Sequence, residues 1–172
     1  DDGTLLAGIA QRLNGLREDA AAAAFQASRL ELWGLYAGVG LWDVIMPSSG
    51  DVNDDTPCYW SPQFCRLLGF TGKGDFPAVL GSWSSLLHPE DQVPALNAFV
   101  AHLSDRSGRT PFDIEYRLKV RSGGYRWFRA MGGTERDTHG KPLRCCGAVT
   151  DIDDEMTRQE SKARHDEQHS TR

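Results

Sequence analysis

The segment Leu-Leu-His-Pro-Glu-Asp-Gln at residues 86–92 combines an imidazole with two carboxylates, groups that can bind a metal or move protons. His88 and Glu90 have the His-x-Glu spacing of zinc deaminases, but the Pro-Cys-x-x-Cys partner of that motif does not occur in the chain. A joint between two helices explains the segment without chemistry. Pro89 disfavours a helical conformation at His88 and suits the first position of the next helix. Glu90 and Asp91 would then lie in the first turn, where the helix dipole favours carboxylates. The segment therefore predicts a helix boundary with His88 near the N-cap.

The four cysteines, Cys58, Cys65, Cys145 and Cys146, do not form a recognisable metal or redox motif. No two of them have the Cys-x-x-Cys spacing. Cys145 and Cys146 are adjacent, so on a strand their side chains would point to opposite faces and could not bind one ion. We interpret the cysteines as small hydrophobic residues in a reducing cytoplasm. No nucleophile, base and orienting group converge either, so we expect no metal site, no catalytic residue and no enzyme.

Composition favours a soluble protein that does not bind polyanions. The 172 residues include 24 acidic and 19 basic side chains, which give a formal net charge of -5. This acidic excess argues against nucleic acid and anionic lipid as partners. The sequence contains no apolar run of about 18 residues and no signal peptide, so we expect no membrane contact. Because the chain begins at Asp1 and ends in a polar helix, we expect a fragment of a longer protein.

Apolar residues recur with a three-four spacing through the first part of the chain. They are Leu6, Ile9, Leu13, Leu16, Ala20, Ala23, Ala27 and Leu30, which stay in register over about four heptads. This spacing predicts an N-terminal helix over residues 1–33 that forms a coiled coil with a second copy of the chain. The alternative is an amphipathic helix that folds against its own domain, because the alanines give a thin interface.

The pattern after this helix alternates between strands and helices. Residues 38–46 and 58–60 predict two strands, and Ser61 with Pro62 opens a helix that stops at Gly69. A longer helix is predicted from Pro89 to about Ser104. Three strands, at residues 112–120, 125–137 and 142–152, follow with short turns between them, and the end of the chain has the composition of a charged helix.

This order predicts an α+β domain with a five-stranded antiparallel sheet and helices on one face. On the long central helix, we expect one apolar side to face the sheet, formed by Val93, Leu96, Phe99, Val100 and Leu103. A curved sheet covered by helices in this way usually leaves a cavity between the layers, where a small ligand could bind.

Several motifs in this arrangement resemble those of PAS domains. Residues 115–152 are similar to the C-terminal strand triplet of the family, also called the PAC motif. Residues 40–44, 59–71 and 86–91 are similar to its first strand, first helix and inter-helix joint. The resemblance covers about Gly34 to Asp153. Residues 82–91 and 101–118 look most like PAS modules of methyl-accepting chemotaxis proteins.

The resemblance implies a PAS sensor domain over residues 34–153 and a linker helix over residues 154–172. It implies a non-catalytic sensory and dimerisation module of a bacterial signal-transduction protein, most like a methyl-accepting chemotaxis protein. A histidine kinase or a cyclic-di-GMP enzyme is the alternative. Ligand or partner binding would be relayed through the flanking helices to a downstream signalling domain, and a homodimer would use the N-terminal helix and a sheet face.

The resemblance also suggests two relay residues at the end of the last strand. In the family, the aspartate at the position of Asp151 helps to fasten the exit helix to the core. Asp153 replaces the usual threonine, and we expect its carboxylate to cap the exit helix as threonine would.

A set of aromatic residues could line a ligand pocket or simply fill the core. The candidates for the pocket are Trp60, Phe64, Trp83, His88, Phe99, Tyr116 and Trp127. Either Trp127 or Phe128 must face outward, because neighbours on a strand alternate. No cofactor is evident. A haem-based gas sensor with His88 or His102 as the iron ligand is one alternative, and a structural dimerisation domain with a closed core is another. Flavin is disfavoured because the Asn-Cys-Arg motif of the flavin-binding subfamily is missing.

Overall fold

The computed structural model describes residues 2–170, and the chain separates into two compact units between Ala37 and Gly38. The first unit is a single helix, α1 (Asp2–Ala37), which continues past the predicted boundary at residue 33. A glycine inside a helix costs only about 1 kcal/mol, so Gly34 does not end it. The helix ends at Gly38, whose φ of +65° is favourable for glycine. Leu6, Leu13 and Leu16 of the heptad pattern are exposed on α1.

The second unit contains all five strands and four further helices. The strands are β1 (Val39–Ile45), β2 (Cys58–Trp60), β3 (Phe112–Lys119), β4 (Tyr125–Arg136) and β5 (Pro142–Asp151). The helices are α2 (Pro62–Leu67), α3 (Gly81–Ser84), α4 (Pro89–Ser104) and α5 (Asp153–Ser170). The strands form one antiparallel sheet in the order β2-β1-β5-β4-β3. The predicted five-stranded sheet with flanking helices is therefore confirmed. Among the helices that the structure describes, none has both the length and the apolar character to cross a bilayer.

The core lies between one face of this sheet and helices α2, α3 and α4. Strand β3 alternates as predicted, with Phe112, Tyr116 and Leu118 buried. Ser61 caps α2 through a bond to the Phe64 N–H, and Pro62 follows it, also as predicted. This arrangement brings aromatic side chains from the helices and the strands into one layer.

Helix α4 faces the sheet with a different side from the one predicted. Phe99 and Leu103 are buried, but Val93, Leu96 and Val100 are 66%, 39% and 51% exposed. The prediction was wrong because the helix has two overlapping apolar stripes, and hydrophobicity does not distinguish them. The buried stripe also contains the small Ala95 and the hydrogen-bonded His102.

Trp42 packs against the sheet at two glycines. It pairs with Gly147 on β5, which in turn pairs with Gly132 on β4. A Cβ atom added to Gly132 would lie 2.6 Å from Cζ2 of the Trp42 ring, and one added to Gly147 would lie 2.5 Å from the same atom. The next residue, Gly133, has no heavy atom within 4 Å of such a Cβ position. The Trp42 indole therefore fills the space that side chains at Gly132 and Gly147 would need.

The segment before α4 covers the edge of the sheet at β3. The His88 N–H donates to the Arg117 carbonyl at 2.9 Å, and the Lys119 N–H donates to the Leu86 carbonyl at 2.8 Å. Edge strands carry unpaired backbone groups, and these two bonds satisfy some of them. The joint predicted from residues 86–92 thus also protects the sheet edge.

Arg117 fixes the start of α4 to β3. Its Nε and backbone N–H both donate to Oδ2 of Asp91, at 2.9 and 2.8 Å, and its Nη2 donates to Oδ1 of Asp91 at 2.8 Å. Nη2 also donates to Glu90 at 2.9 Å. The side-chain hydrogen bonds from Arg117 lower the pKa of Asp91 below its ordinary value. The two carboxylates therefore have a partner on β3 in addition to the helix dipole.

We predict that Gly132→Ala destabilises the domain by about 1–3 kcal/mol, because the added methyl group would overlap the Trp42 ring. Gly133→Ala is the matched control, one residue along the same strand, and should be neutral or slightly stabilising. Urea denaturation of both variants and of the wild type measures the free energy of unfolding. Equal stability of the two variants would contradict the proposed contact.

We predict that Asp91→Asn lowers the free energy of unfolding by about 1–3 kcal/mol at pH 7, because Arg117 loses its charged acceptor. The folded-state pKa of Asp91 is depressed, so its contribution is present above the unfolded pKa of about 3.9 and is lost as pH falls through the folded value. The difference in the free energy of unfolding between the wild type and Asp91→Asn should therefore become smaller as the pH falls below about 4.

Denaturation curves measured from pH 7 to pH 2 would check this narrowing. Glu90→Gln is the control, since Glu90 contacts the same guanidinium with a side chain that is 73% exposed. It should cost less than about 1 kcal/mol. If the difference in the free energy of unfolding between the wild type and Asp91→Asn stays constant with pH, the assigned role of Asp91 is wrong.

Candidate functional site

A small cavity lies between the inner face of the sheet and the helices. Its volume is about 20 Å³, which is enough for about one water molecule. It is lined by Trp42, Val44, Trp60, Phe64, Leu80, Trp83, Phe99, Phe112 and Tyr116. Five of the seven predicted pocket residues lie around it, namely Trp60, Phe64, Trp83, Phe99 and Tyr116.

The lining residues come from separate elements that the fold brings together. Trp60 on β2 packs against Phe64 on α2, with ring centroids 4.5 Å apart. Trp83 on α3 meets Tyr116 on β3 edge to face at 5.7 Å. Phe99 on α4 lies within 6.5 Å of the Trp83 ring. Such tilted and edge-to-face contacts between aromatic rings are favourable and fill most of the space between the layers.

The polar groups of the cavity are few. Among the described residues, the indole N–H of Trp83 is the one buried side-chain polar group without a hydrogen-bond partner. Burial raises the pKa of the Tyr116 hydroxyl well above its ordinary value, so this group stays neutral at physiological pH. Without a converging base or nucleophile, the cavity can hold a small neutral molecule but does not provide acid-base chemistry.

The other two predicted pocket residues lie outside this cavity. His88 is the N-cap of α4, where its Nδ1 accepts the Glu90 N–H at 3.2 Å and its ring packs against Tyr125 at 4.7 Å. Trp127 lies on the outer face of β4, where the Arg117 guanidinium stacks over its ring at 5.0 Å. Phe128, its neighbour, is fully buried on the inner face. The alternation of a strand therefore places Phe128, and not Trp127, towards the helices.

Sequence patterns missed four cavity residues, which are Trp42, Val44, Leu80 and Phe112. Trp42 and Val44 are two residues apart on β1 and therefore share one face of the strand. The strand pattern could have predicted that both side chains point inward. The position of Leu80 follows from the loop before α3, and the sequence contains no signal for it.

The two histidines proposed as haem ligands are engaged elsewhere. His88 caps a helix, and both ring nitrogens of the buried His102 are hydrogen-bonded, Nδ1 to the Thr110 carbonyl at 2.7 Å and Nε2 to Thr134 at 2.8 Å. Pockets for organic ligands commonly measure about 300–1,000 Å³. The residues in this arrangement therefore fit neither haem nor flavin. Among the described residues, no cluster of three or more His, Cys, Asp or Glu side chains could hold a metal ion.

The exit junction joins the last strand, the exit helix and the start of β4. Nε of Arg126 donates to Asp151 at 2.8 Å, and the Asp151 carboxylate also accepts the Asp153 N–H at 3.0 Å. The Asp153 carboxylate accepts the Trp127 N–H at 2.9 Å, and the Ile152 N–H donates to the Trp127 carbonyl at 2.9 Å. Asp151 therefore satisfies the first N–H of α5, a role that we expected of Asp153. Asp153 instead binds the helix start to β4.

Curated relatives match the central part of the chain. An uncharacterized protein from Pseudomonas chlororaphis is 42% identical over 97 residues, which are 54% of this chain and 38% of that protein. The White collar 1 protein of Neurospora crassa is 32% identical over 88 residues, which are 51% of this chain and 7% of that protein. The chain therefore spans less than half the length of either relative.

Solved structures match over most of the chain. A sensory box histidine kinase/response regulator from Burkholderia thailandensis superimposes with a TM-score of 0.67 and 28% identity, covering 84% of this chain and 99% of that chain. The N-terminal domain of a diguanylate cyclase with a PAS/PAC sensor from Marinobacter aquaeolei gives a TM-score of 0.54 at 24% identity, covering 69% and 98%. The second likeness is one of fold alone.

A family model described as PAS fold matches residues 57–149, which is more than half of the chain. This range runs from the residue before β2 to Val149, two residues before the end of β5, and includes α2, α3 and α4. It therefore contains most of the elements that surround the cavity. PAS domains are in general non-catalytic sensory modules. The chain belongs to the PAS-fold family.

Proposed function

We propose that this chain is a non-catalytic sensory and dimerising module of a bacterial signal-transduction protein, which passes a change in its core packing to the helix that follows it. The exit junction is the observation that supports this proposal most directly. It binds the start of α5 to β4 through side chains of Asp151 and Asp153. An output domain that follows α5 would receive its signal there.

The route from the cavity to the exit helix is short. Tyr116, which lines the cavity, pairs with the buried Phe128 on β4. Trp127 and Arg126 come directly before Phe128 on β4. Arg126 bonds to Asp151 and Trp127 bonds to Asp153 in the exit junction. A shift of β4 relative to α4 would thus move the groups that hold α5. A bias of about 1 kcal/mol between two arrangements is enough to change their populations several-fold.

The size of the cavity argues for a particular kind of input. A space for about one water, lined by aromatic rings, suits a very small neutral molecule or no ligand at all. We therefore propose that the stimulus is such a molecule, or a partner that acts on the surface of the module. A haem-based gas sensor has weaker support, because His88 and His102 are engaged in other bonds.

Dimerisation is proposed to use α1 and the outer face of the sheet. The heptad positions of α1 are exposed, with Leu6 at 66% and Leu16 at 65%. On the outer sheet face, Ile45, Tyr59 and Met131 are 71%, 54% and 47% exposed. Two copies that pair along these surfaces would remove this apolar area from water.

The identity of the output domain is a finer proposal. The likeness to the Burkholderia thailandensis protein, at 28% identity over 84% of this chain, favours a histidine kinase. The methyl-accepting chemotaxis protein that residues 82–91 and 101–118 suggest is the second candidate. A cytoplasmic location is proposed as well, because all four cysteines are free thiols, three of them buried.

We predict that Leu13→Glu weakens dimerisation, because it places a charge in the proposed coiled-coil seam. The dissociation constant of the dimer, measured by analytical ultracentrifugation, should rise by about tenfold or more. Gln11→Glu adds the same charge two residues away, outside the seam, and should leave the constant unchanged. If the wild type is a monomer, or if both variants change the dissociation constant equally, the proposed coiled-coil seam is wrong.

We predict that Asp151→Asn loosens the start of α5 while the sheet stays folded, because Arg126 loses its closest carboxylate. Hydrogen exchange of the amides in the first turn of α5 should accelerate by about tenfold, while amides of β4 and β5 keep their protection. Asp43→Asn removes a similar ion pair, with Arg144 on the outer sheet face, and should not affect α5. In the full-length protein, unchanged signalling by Asp151→Asn would reject the proposed route.

A further inference from the structure

A surface pocket of about 380 Å³ lies between the end of α2 and the turn that joins β3 to β4. It is separate from the aromatic cavity and shares no lining residue with it. It is lined by Arg66, Leu67, Leu68, Gly69, Val120, Arg121, Ser122 and Arg126. All charged residues of this lining are arginines, and we call it the arginine pocket.

The walls of the arginine pocket are fixed to each other. The Arg121 N–H donates to the Leu68 carbonyl at 2.8 Å. Gly69 has a φ of +87°, and a Cβ atom there would lie 3.2 Å from Cβ of Arg121, so the end of α2 and the turn are in close contact. The Arg66 carbonyl already accepts the Gly69 N–H at 3.0 Å. The pocket is thus built from rigid elements. Because the Arg66 carbonyl oxygen already accepts a hydrogen bond, it would repel a bound anion less than an unpaired carbonyl would.

The three guanidinium groups differ in their acidic partners. In the part of the chain that the structure describes, Arg66 forms no ion pair, and its Nε donates to the Gln63 amide oxygen at 3.2 Å. Arg121 uses one nitrogen for Asp75, at 2.7 Å. Arg126 donates from Nε to Asp151 at 2.8 Å, and its two other nitrogens lie 3.7 Å from Asp153 and 4.0 Å from Asp154. A guanidinium has five N–H donors, so each of the three can donate further hydrogen bonds.

We propose that the arginine pocket binds a phosphate monoester. Guanidinium groups match the geometry of phosphate oxygens and form strong charge-assisted hydrogen bonds with them. Three such groups around one pocket suit an anion with several terminal oxygens better than they suit a single carboxylate. Leu67 and Val120 provide an apolar wall for the organic part of the ligand. The volume lies within the range of small-molecule sites.

Arg126 connects this site to the exit helix. Arg126 lines the pocket, and its guanidinium faces three carboxylates, Asp151 at 2.8 Å, Asp153 at 3.7 Å and Asp154 at 4.0 Å. A bound phosphate therefore competes with the start of α5 for the same cation. Because such coupling is reciprocal, weakening the bond from Arg126 to Asp151 tightens phosphate binding. This second step rests on the proposed function of the exit junction, whereas the binding step does not.

The binding step is tested by titrating the isotope-labelled chain with phenyl phosphate, followed by nuclear magnetic resonance. Saturable shifts are expected at the Nε–H signals of Arg66, Arg121 and Arg126 and at the Ser122 amide. Phenol, which lacks the phosphate, should cause none of them, and inorganic phosphate should bind more weakly than phenyl phosphate. Absence of saturable shifts at these groups up to about 10 mM ligand, a weak affinity by any standard, would overturn the proposal.

Variants separate the site from general charge effects. Arg66→Gln should weaken phenyl phosphate binding by about tenfold, because one charge-assisted contact is lost. Arg129→Gln removes the same charge from the outer sheet face, away from the pocket, and should leave the affinity unchanged. An equal loss in both variants would show attraction by net charge and overturn the site. Since Arg66 is an exposed residue, its variant should fold, and a thermal unfolding curve confirms this.

The coupling step has its own measurement. Asp151→Asn should tighten phenyl phosphate binding several-fold, because Arg126 is released from its closest carboxylate. Asp113→Asn, which frees Arg129 instead, should leave the affinity unchanged. An unchanged affinity in Asp151→Asn would overturn the competition for Arg126. Failure of the proposed relay would give a different result. Phosphate would bind, and Asp151→Asn would tighten its binding as expected, but Asp151→Asn would not change signalling in the full-length protein.

Discussion

The contact of the Trp42 indole with Gly132 and Gly147 sets the spacing between the sheet and its helices. Because neither glycine has a side chain, the ring lies against the backbone of two neighbouring strands. Phe99 of α4 and Phe112 of β3 then pack against the same ring, at centroid distances of 6.3 and 5.7 Å. Aromatic contacts of this kind have preferred geometries, so the position of α4 over the sheet follows from the position of Trp42.

This packing leaves little free volume, and the small cavity is what remains. A core filled by interlocking rings resists gradual deformation and responds instead by moving between discrete arrangements. The Trp83 N–H lies in the wall of this cavity, where it interacts with the Tyr116 hydroxyl without forming a hydrogen bond of good geometry. The Trp83 and Tyr116 side chains are therefore the polar groups in the wall of an otherwise apolar cavity.

The order and type of the elements could be predicted from the sequence because each element has a local signal. Strand β3 alternates over eight residues, and Ser61-Pro62 and His88-Pro89 mark two helix starts. The buried face of α4 could not be predicted in the same way, since Val93, Leu96 and Val100 are as apolar as the residues that are buried. The choice depends on which side fits the rings around Trp42, and this is a property of tertiary packing.

The candidate site shows the same division between local and long-range information. The inward direction of Tyr116 follows from strand alternation, whereas the outward direction of Trp127 required knowledge of which neighbour, Trp127 or Phe128, faces the helices. The bonds of Arg117 to Asp91 and of Arg126 to Asp151 join residues 26 and 25 positions apart in sequence. Charge patterns alone do not identify such partners, because many arginines and carboxylates of the chain could pair.

These two arginine junctions use the same chemistry at different depths. At the start of α4, the side chains of Arg117 and Asp91 are 24% and 16% exposed, and three hydrogen bonds join the two residues. At the start of α5, Arg126 and Asp151 are 39% and 22% exposed, and a single side-chain hydrogen bond joins them. Solvent weakens exposed ion pairs, whose contribution is often about 0–1 kcal/mol. The Arg117–Asp91 pair is therefore the firmer of the two pairs. The Arg126–Asp151 pair is the weaker one, so a change of about 1 kcal/mol is enough to break it while the backbone hydrogen bonds of the exit junction remain.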